Sequence, residues 1–184
     1  IKSSIEQLVR RLARETRPVA VLASGDPLWF GIGSILSERL GPRVRIIPNL
    51  SALQLACARL GIPWQNAVCL SAHGRPMMTI VPAALLARTA VILTEPKQTP
   101  SAIAAMLLSH GSEDAMADVF ENLDGREERH TSCRLSELAG RTFAPLNLMV
   151  VRRHGPPRRW PLGLPESAFL HRDGQITKAE VRAV

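Results

Sequence analysis

The sequence contains no tyrosine, and aromatic residues make up only 4% of its 184 positions. Proteins that bind single-stranded nucleic acid stack bases on aromatic side chains, so this scarcity argues against a base-stacking surface. No apolar run is long enough to cross a bilayer, and the first residues do not have the pattern of a secretory signal. We therefore predict a globular, cytoplasmic protein that binds neither a membrane nor nucleic acid.

Cysteine is also scarce. Cys57, Cys69 and Cys133 are far apart in the sequence and include no Cys-x-x-Cys pair. Zinc sites and redox couples usually show such a pair, so the pattern predicts no metal site and no disulfide framework. Reduced, buried thiols are expected instead.

Lysine is rare as well: Lys2, Lys97 and Lys178 are the only three, so arginine supplies most of the formal charge of +7. The planar guanidinium binds carboxylates and phosphates through two parallel hydrogen bonds. A basic balance indicates an anionic partner, and the charge alone leaves nucleic acid, a lipid surface and a polyanionic small molecule open.

Apolar residues recur at helical spacing in some segments and in short continuous runs in others. The predicted helices cover residues 3–15, 33–41, 52–61, 82–88, 101–111 and 136–140. The predicted strands cover residues 18–23, 44–48, 67–71, 89–95, 115–123, 127–135 and 146–153. This alternation predicts an α/β protein with mainly parallel sheets, in which ligands bind beyond the carboxyl ends of strands.

One such end is the segment LASGDPLWFGIG, residues 22–33. Gly25 and Pro27 permit a sharp turn, and the Asp26 carboxylate can accept hydrogen bonds from nearby amides or from a ligand. The segment is not a dinucleotide-binding motif, because Leu36 occupies the third glycine position. An ordinary turn and a ligand-binding loop both fit these residues.

Further segments make the pattern specific. LASGDPLWFGIG, VRIIPNLSALQLACARLGIPW and SAHGRP, in this order, resemble the tetrapyrrole methylases, S-adenosylmethionine-dependent enzymes that methylate the cobalamin precursor ring. ILTEPKQTPSAIAAMLLSHG, FENLDGREER and FAPLNLMVV resemble the C5-methylating members of that family. The resemblance covers most of residues 18–153.

The resemblance implies the tetrapyrrole methylase fold, two α/β/α subdomains with a ligand cleft between them. It places an incomplete first subdomain at residues 1–72 and a second at 73–153. Family members begin with a strand and a glycine-rich cofactor loop that are missing from this sequence. Residues 154–184 resemble a linker and the start of a C15-methylating, decarboxylating domain, which implies a fused bifunctional enzyme. The resemblance also implies a homodimer.

The cofactor contacts implied by the resemblance lie in three segments. They are Ser24, Gly25, Asp26, Trp29, Ser51, Ala52 and Thr94. One position departs from the family: Asn49 stands where a glycine is usual. Asparagine tolerates a left-handed backbone better than most residues, so we expect the turn to persist.

The implied reaction is C-methylation of a corrin precursor of the precorrin-6Y type at C5. Its substrate carries many carboxylates, and we expect His73 and Arg75, in the loop between the subdomains, to face it. Glu95 and Glu121 are considered as proton acceptors, although such carboxylates are more often structural. No catalytic residue is assigned.

Two other functions remain open from the sequence. A ribosomal RNA methyltransferase of the same superfamily would suit the basic charge, although the segments SAHGR and TEPKQTP favour the corrin enzymes. A non-enzymatic docking module for the fused partner domain is the other, because the first cofactor strand is missing.

Overall fold

The computed structural model describes residues 2–112, 114–154 and 177–182. Its helices are α1 (Lys2–Arg14), α2 (Ile32–Leu40), α3 (Ala52–Leu60), α4 (Val81–Leu86), α5 (Pro100–Ser109) and α6 (Ala179–Arg182). Its strands are β1 (Val68–Ser71), β2 (Thr89–Leu93), β3 (Met116–Glu121), β4 (Arg129–Arg134) and β5 (Asn147–Arg152). The predicted helix at 136–140 is a short 3-10 turn, Leu135–Leu138. Most of the predicted linker, 154–184, lies outside the described residues.

The five strands form one sheet in the order β1-β2-β5-β3-β4. Only β1 and β2 are parallel, whereas β2–β5, β5–β3 and β3–β4 are antiparallel. The α/β class is confirmed, but the prediction of mainly parallel strands is wrong. Residues 122–128 join β3 to β4, and a connection shorter than about a dozen residues permits only antiparallel pairing.

The central strands are apolar on both faces because both faces of the sheet are covered. Along β2, Ala90 and Ile92 face the cluster that includes α4 and α5, while Val91 faces the cluster that includes α3. β5 alternates in the same way, with Met149 on the first face and Val150 on the second. Side chains alternate between the faces of a strand, so a strand buried on both sides reads as a continuous apolar run.

The predicted strands at 18–23 and 44–48 are irregular segments that do not belong to a sheet. Within the described part of the chain, neither segment has a hydrogen-bonded strand neighbour, and a strand requires one. A cavity of about 830 Å³ lies between them, lined in part by Val19, Val21 and Ile47. Before β1, the described chain therefore consists of helices and irregular segments, and β1 joins the sheet of the second half. The subdomain boundary predicted after residue 72 follows β1 in the sequence, since β1 ends at Ser71.

The thiols behave largely as predicted. All three cysteines are free, Cys57 and Cys133 are buried, and Cys69 is partly exposed. Burial raises the pKa of the Cys57 and Cys133 thiols. Among the described residues, no group of His, Cys, Asp and Glu side chains is arranged to hold a metal ion. None of the described helices combines the length and the apolar character needed to span a membrane.

Candidate functional site

The loop from Ser24 to Gly31 is a tight turn stabilised by Asp26. One carboxylate oxygen of Asp26 accepts a hydrogen bond from the Leu28 amide at 2.8 Å, and its carbonyl accepts one from the Trp29 amide at 3.2 Å. Gly25 has a φ of +64°, a conformation in which glycine is least strained. Ser24 is exposed. Asp26 therefore stabilises its own turn, and its second carboxylate oxygen makes no hydrogen bond among the described residues.

Two glycines allow this loop to fold onto the start of α2. A Cβ at Gly31 would lie 2.6 Å from the carbonyl oxygen of Pro27, and one at Gly33 would lie 2.7 Å from the same atom. The Gly33 amide donates a hydrogen bond to that oxygen at 2.9 Å. Only glycine fits at either position, because any side chain would push the Pro27 carbonyl away.

The same loop contacts the start of α3. A Cβ at Gly25 would lie 3.6 Å from the Leu50 carbonyl oxygen and 3.9 Å from the Cα of Ser51. Ser51 is buried and caps α3: its Oγ accepts a bond from the Gln54 amide at 3.3 Å and lies 3.0 Å from Gln54 Oε1. The Ser51 hydroxyl is thus hydrogen-bonded to Gln54, so a ligand would contact the backbone of Ser51 and Ala52 rather than this side chain.

Asn49 does not adopt the left-handed backbone that was expected at the family's glycine position. Positive φ values among the described non-glycine residues occur only at Phe30, Asn122 and Asp124. The Asn49 side chain accepts a hydrogen bond from the Leu50 amide at 2.8 Å instead. The side chain thus satisfies the Leu50 amide without a positive φ at Asn49.

Thr94 follows β2 and is held by the first residue of β5. Its Oγ1 donates to Asn147, with the carbonyl oxygen at 2.9 Å and the side-chain oxygen also within reach. Asn147 Nδ2 donates in turn to the Ala144 carbonyl at 2.6 Å. This arrangement fixes the Thr94 side chain at the end of the sheet.

Trp29 lies where these segments meet. Trp29, Ala52 and Leu93 all pack against the apolar cluster formed by α3 and the second face of the sheet. The indole Nε1 of Trp29 is buried and has no hydrogen-bond partner among the described residues. A buried donor without an acceptor is costly, so this N–H is available to a ligand that enters beside it.

The loop that contains His73 and Arg75 is attached to the turn after β2. Glu95 Oε2 accepts a hydrogen bond from the Gly74 amide at 3.0 Å and lies 3.7 Å from His73 Nδ1. Gln98 donates to the carbonyl oxygens of Ala72 and Arg75. His73 and Arg75 themselves are exposed. The backbone of the loop is fixed while both side chains face solvent.

Neither carboxylate considered as a proton acceptor suits that task. The hydrogen bonds from Gly74 and Gln98, together with the charges of His73 and Lys97, hold the pKa of Glu95 below its ordinary value, which makes it a weaker base. Glu121 is buried and accepts bonds from Arg129 at 2.9 Å and from the Ala144 amide at 2.6 Å. Both carboxylates are structural.

The described residues therefore bring two of the three predicted cofactor segments close together, and Leu93, next to the third at Thr94, packs against the same cluster. Asn147 and Gln98 were not identified in the sequence, because each acts on a residue far away along the chain. The signal that could have identified them is their position in the sequence. Asn147 begins an apolar run that is typical of a strand, and Gln98 ends the turn TEPKQ.

Residues 2–139 match the family described as "Tetrapyrrole (Corrin/Porphyrin) Methylases". The chain is 36% identical over 182 residues to the decarboxylating precorrin-6Y C(5,15)-methyltransferase of Sinorhizobium sp., covering 96% of this chain and 44% of that relative. It is 38% identical over 120 residues to the cobalt-precorrin-7 C(5)-methyltransferase of Salmonella typhimurium, covering 64% of this chain and 58% of that relative. The chain thus spans less than half the length of the first relative.

Solved structures show the same fold. The native uroporphyrin III C-methyl transferase of Thermus thermophilus aligns with a TM-score of 0.64 at 26% identity, covering 82% of this chain and 72% of that chain. A precorrin-6Y methylase from Archaeoglobus fulgidus aligns with a TM-score of 0.60 at 23% identity, covering 81% and 71%. Because the family match covers most of the chain and the fold agrees with these structures, the chain belongs to the tetrapyrrole methylase family.

Proposed function

We propose that the protein containing this chain transfers a methyl group from S-adenosylmethionine to C5 of a corrin-ring precursor of the precorrin-6Y type. The observation that supports this proposal most directly is the identity of 36% along almost the whole chain to a precorrin-6Y C(5,15)-methyltransferase. A Thermus thermophilus relative of the same fold, 26% identical, was solved with S-adenosyl homocysteine.

The residues of the candidate site suit such a cofactor. Backbone groups are available at Gly25, Ser51 and Ala52, where the Asp26 loop approaches the start of α3. The second carboxylate oxygen of Asp26 can accept a hydrogen bond from a ribose hydroxyl or an amino group. The unpaired Nε1 of Trp29 supplies a donor beside them. We propose that Ser24, Gly25, Asp26, Trp29, Ser51, Ala52 and Thr94 hold the cofactor.

Little acid–base chemistry is required of these side chains. The bound cofactor supplies an electrophilic sulfonium methyl group, so the protein has to orient the acceptor carbon and exclude water. His73 and Arg75, exposed on a fixed loop, would orient the carboxylates of the substrate through charge-assisted hydrogen bonds. We assign no proton acceptor.

The wider setting is also proposed. The coverage of 44% of the Sinorhizobium relative supports a place for this chain within a longer protein. We propose, from the family resemblance, that a C15-methylating and decarboxylating domain follows it. A cytoplasmic homodimer fits the family resemblance.

The experiment is a methyl-transfer assay with the full-length protein, precorrin substrate and methyl-labelled S-adenosylmethionine. We expect label on the corrin ring at C5. Label transferred to ribosomal RNA instead would replace this proposal with the RNA methyltransferase function, and no transfer to either acceptor would contradict both.

A further inference from the structure

Arg59, in the last turn of α3, joins this helix to the turn between β3 and β4. Its Nε lies 2.8 Å from Glu128 Oε1 and its Nη2 lies 3.0 Å from Glu128 Oε2, a two-pronged arrangement. Nη2 also lies 3.4 Å from Asp124. The guanidinium lowers the pKa of Glu128 below its ordinary value. These bonds join residues more than sixty positions apart in the sequence.

Most exposed ion pairs contribute little, since two long side chains lose rotamer freedom to form them. Here the acceptor is held in place by its own turn. Glu128 Oε2 also accepts a bond from the Asp124 amide at 2.6 Å, and the Gly125 amide donates to the Asn122 carbonyl at 2.8 Å. Asn122 and Asp124 both have positive φ, so the turn has a specific conformation. Arg59 therefore binds a preorganised carboxylate, and the entropic cost falls mainly on one side chain.

This turn is attached to the strand that fixes Thr94. The Asn122 amide donates to the Leu146 carbonyl at 2.9 Å, and the next residue, Asn147, accepts the hydrogen bond of Thr94 Oγ1. A continuous set of contacts thus runs from Arg59 through the β3–β4 turn to Thr94. At the other end of α3, about 10 Å away by the helical rise, lie Ser51 and Ala52.

We infer that Arg59 is a positioning residue: by clamping the end of α3 to the β3–β4 turn, it fixes Ser51 and Ala52 relative to Thr94 and so increases cofactor affinity. This inference rests on the proposed function, because it takes these three residues as parts of one cofactor site. Arg59 itself contacts no ligand in this account.

The test uses the full-length protein and S-adenosylhomocysteine titrated by calorimetry. We compare Arg59→Met, Glu128→Gln and the double variant with the parent, and use Arg39→Met, an exposed arginine at the end of α2, as the matched control. Arg59→Met and Glu128→Gln should each weaken binding about fivefold, and the double variant should weaken it no further, since both remove the same contact. The control should bind like the parent.

A second readout follows the position of α3 directly. Trp29 packs against the cluster that includes Leu53 and Cys57 of α3, so its emission responds to movement of this helix. In a background in which every other tryptophan of the full-length protein, Trp64 and Trp160 among them, is replaced by phenylalanine, Arg59→Met should shift the Trp29 emission without ligand. At saturating cofactor, kcat should stay close to that of the parent while the cofactor KM rises.

Failure of the parent to bind S-adenosylhomocysteine would overturn the proposed function and this inference with it. Normal binding by the parent together with unchanged affinity in both single variants would overturn this inference alone. A lowered melting temperature with unchanged affinity and unchanged Trp29 emission would do the same, because it would reduce Arg59 to a structural role.

Discussion

The carboxylate of Glu95 accepts a hydrogen bond from the backbone amide of Gly74 across 3.0 Å. This bond attaches the loop with His73 and Arg75 to the turn after β2, beside the bonds that Gln98 donates to Ala72 and Arg75, and its strength depends on the ionised form of Glu95.

That dependence predicts a stability change in acid. The pKa of Glu95 is lowered from its ordinary value of 4.5, chiefly by the Gly74 hydrogen bond. A carboxylate whose pKa falls on folding stabilises the folded chain above the ordinary value, and the contribution disappears as the pH drops through the lowered one. The melting temperature of Glu95→Gln should therefore lie below that of the parent by a constant amount above about pH 5, and the gap should close in stronger acid. Glu38→Gln, at an exposed position on α2, is the control. A gap that widens in acid would contradict the assignment.

Asp118 is a buried carboxylate on β3 that joins this strand to both of its neighbours. It is fully buried and binds Arg152 at 2.7 Å and His130 at 3.0 Å. Asp118→Asn removes the charge from these hydrogen bonds while Arg152 and His130 stay partly exposed to water, so it should lower the free energy of unfolding by about 2 kcal/mol. Denaturant unfolding measures this, with the exposed Glu6→Gln as the control. A loss no larger than in the control would show that the pair contributes little.

Gly33 sets how closely the Asp26 loop approaches α2. A Cβ there would lie 2.7 Å from the Pro27 carbonyl oxygen, so Gly33→Ala must displace the loop. Overpacking of this kind costs about 1 to 3 kcal/mol, and we expect S-adenosylhomocysteine binding to weaken about tenfold or more. Ser37→Ala, on the same helix, should bind normally. If Gly33→Ala and the parent bind S-adenosylhomocysteine equally tightly, the geometry of this loop does not determine cofactor affinity.

Arg75 is predicted to act on the substrate and not on the cofactor. Its exposed side chain is free to form charge-assisted bonds with carboxylates, so Arg75→Ala should raise the substrate KM about tenfold and leave the dissociation constant for S-adenosylhomocysteine unchanged. His73→Ala should show a smaller effect of the same kind. Steady-state kinetics with varied substrate gives the first quantity and calorimetry the second. If neither variant changes turnover or KM, this loop does not contact the substrate.

Local pattern predicted much of the fold because the features involved are local. The apolar run at 89–95 is a strand since Ala90 and Ile92 face one cluster and Val91 faces the other. The helix predicted at 101–111 is α5, which begins where the Thr99 hydroxyl accepts a bond from the Ala102 amide. The runs at 18–23 and 44–48 have the same composition as strands, but composition does not supply the neighbouring backbone that makes a strand. The prediction of parallel pairing for the later strands was wrong for a related reason. The direction in which two strands pair depends on the connections between them and not on the composition of the strands.

The site was predicted less completely. The sequence identified Asp26 through its turn pattern and Ser51 through the family resemblance, and both signals span only short segments. Three residues were not identified from the sequence, because their hydrogen-bond partners lie 26, 53 and 69 residues away along the chain: Gln98, Asn147 and Arg59. Only the fold brings these groups together.

The central claim is that the Asp26 loop binds the cofactor, and calorimetric titration of the full-length protein with S-adenosylhomocysteine tests it most directly. Asp26 accepts the Leu28 amide at 2.8 Å, and Asn can accept the same bond, so Asp26→Asn keeps the turn while removing the charge. Asp26→Ala removes both. We expect clear binding by the parent, about tenfold weaker binding by Asp26→Asn and weaker binding still by Asp26→Ala. Binding of equal strength in all three proteins, or no binding by the parent, would contradict the account.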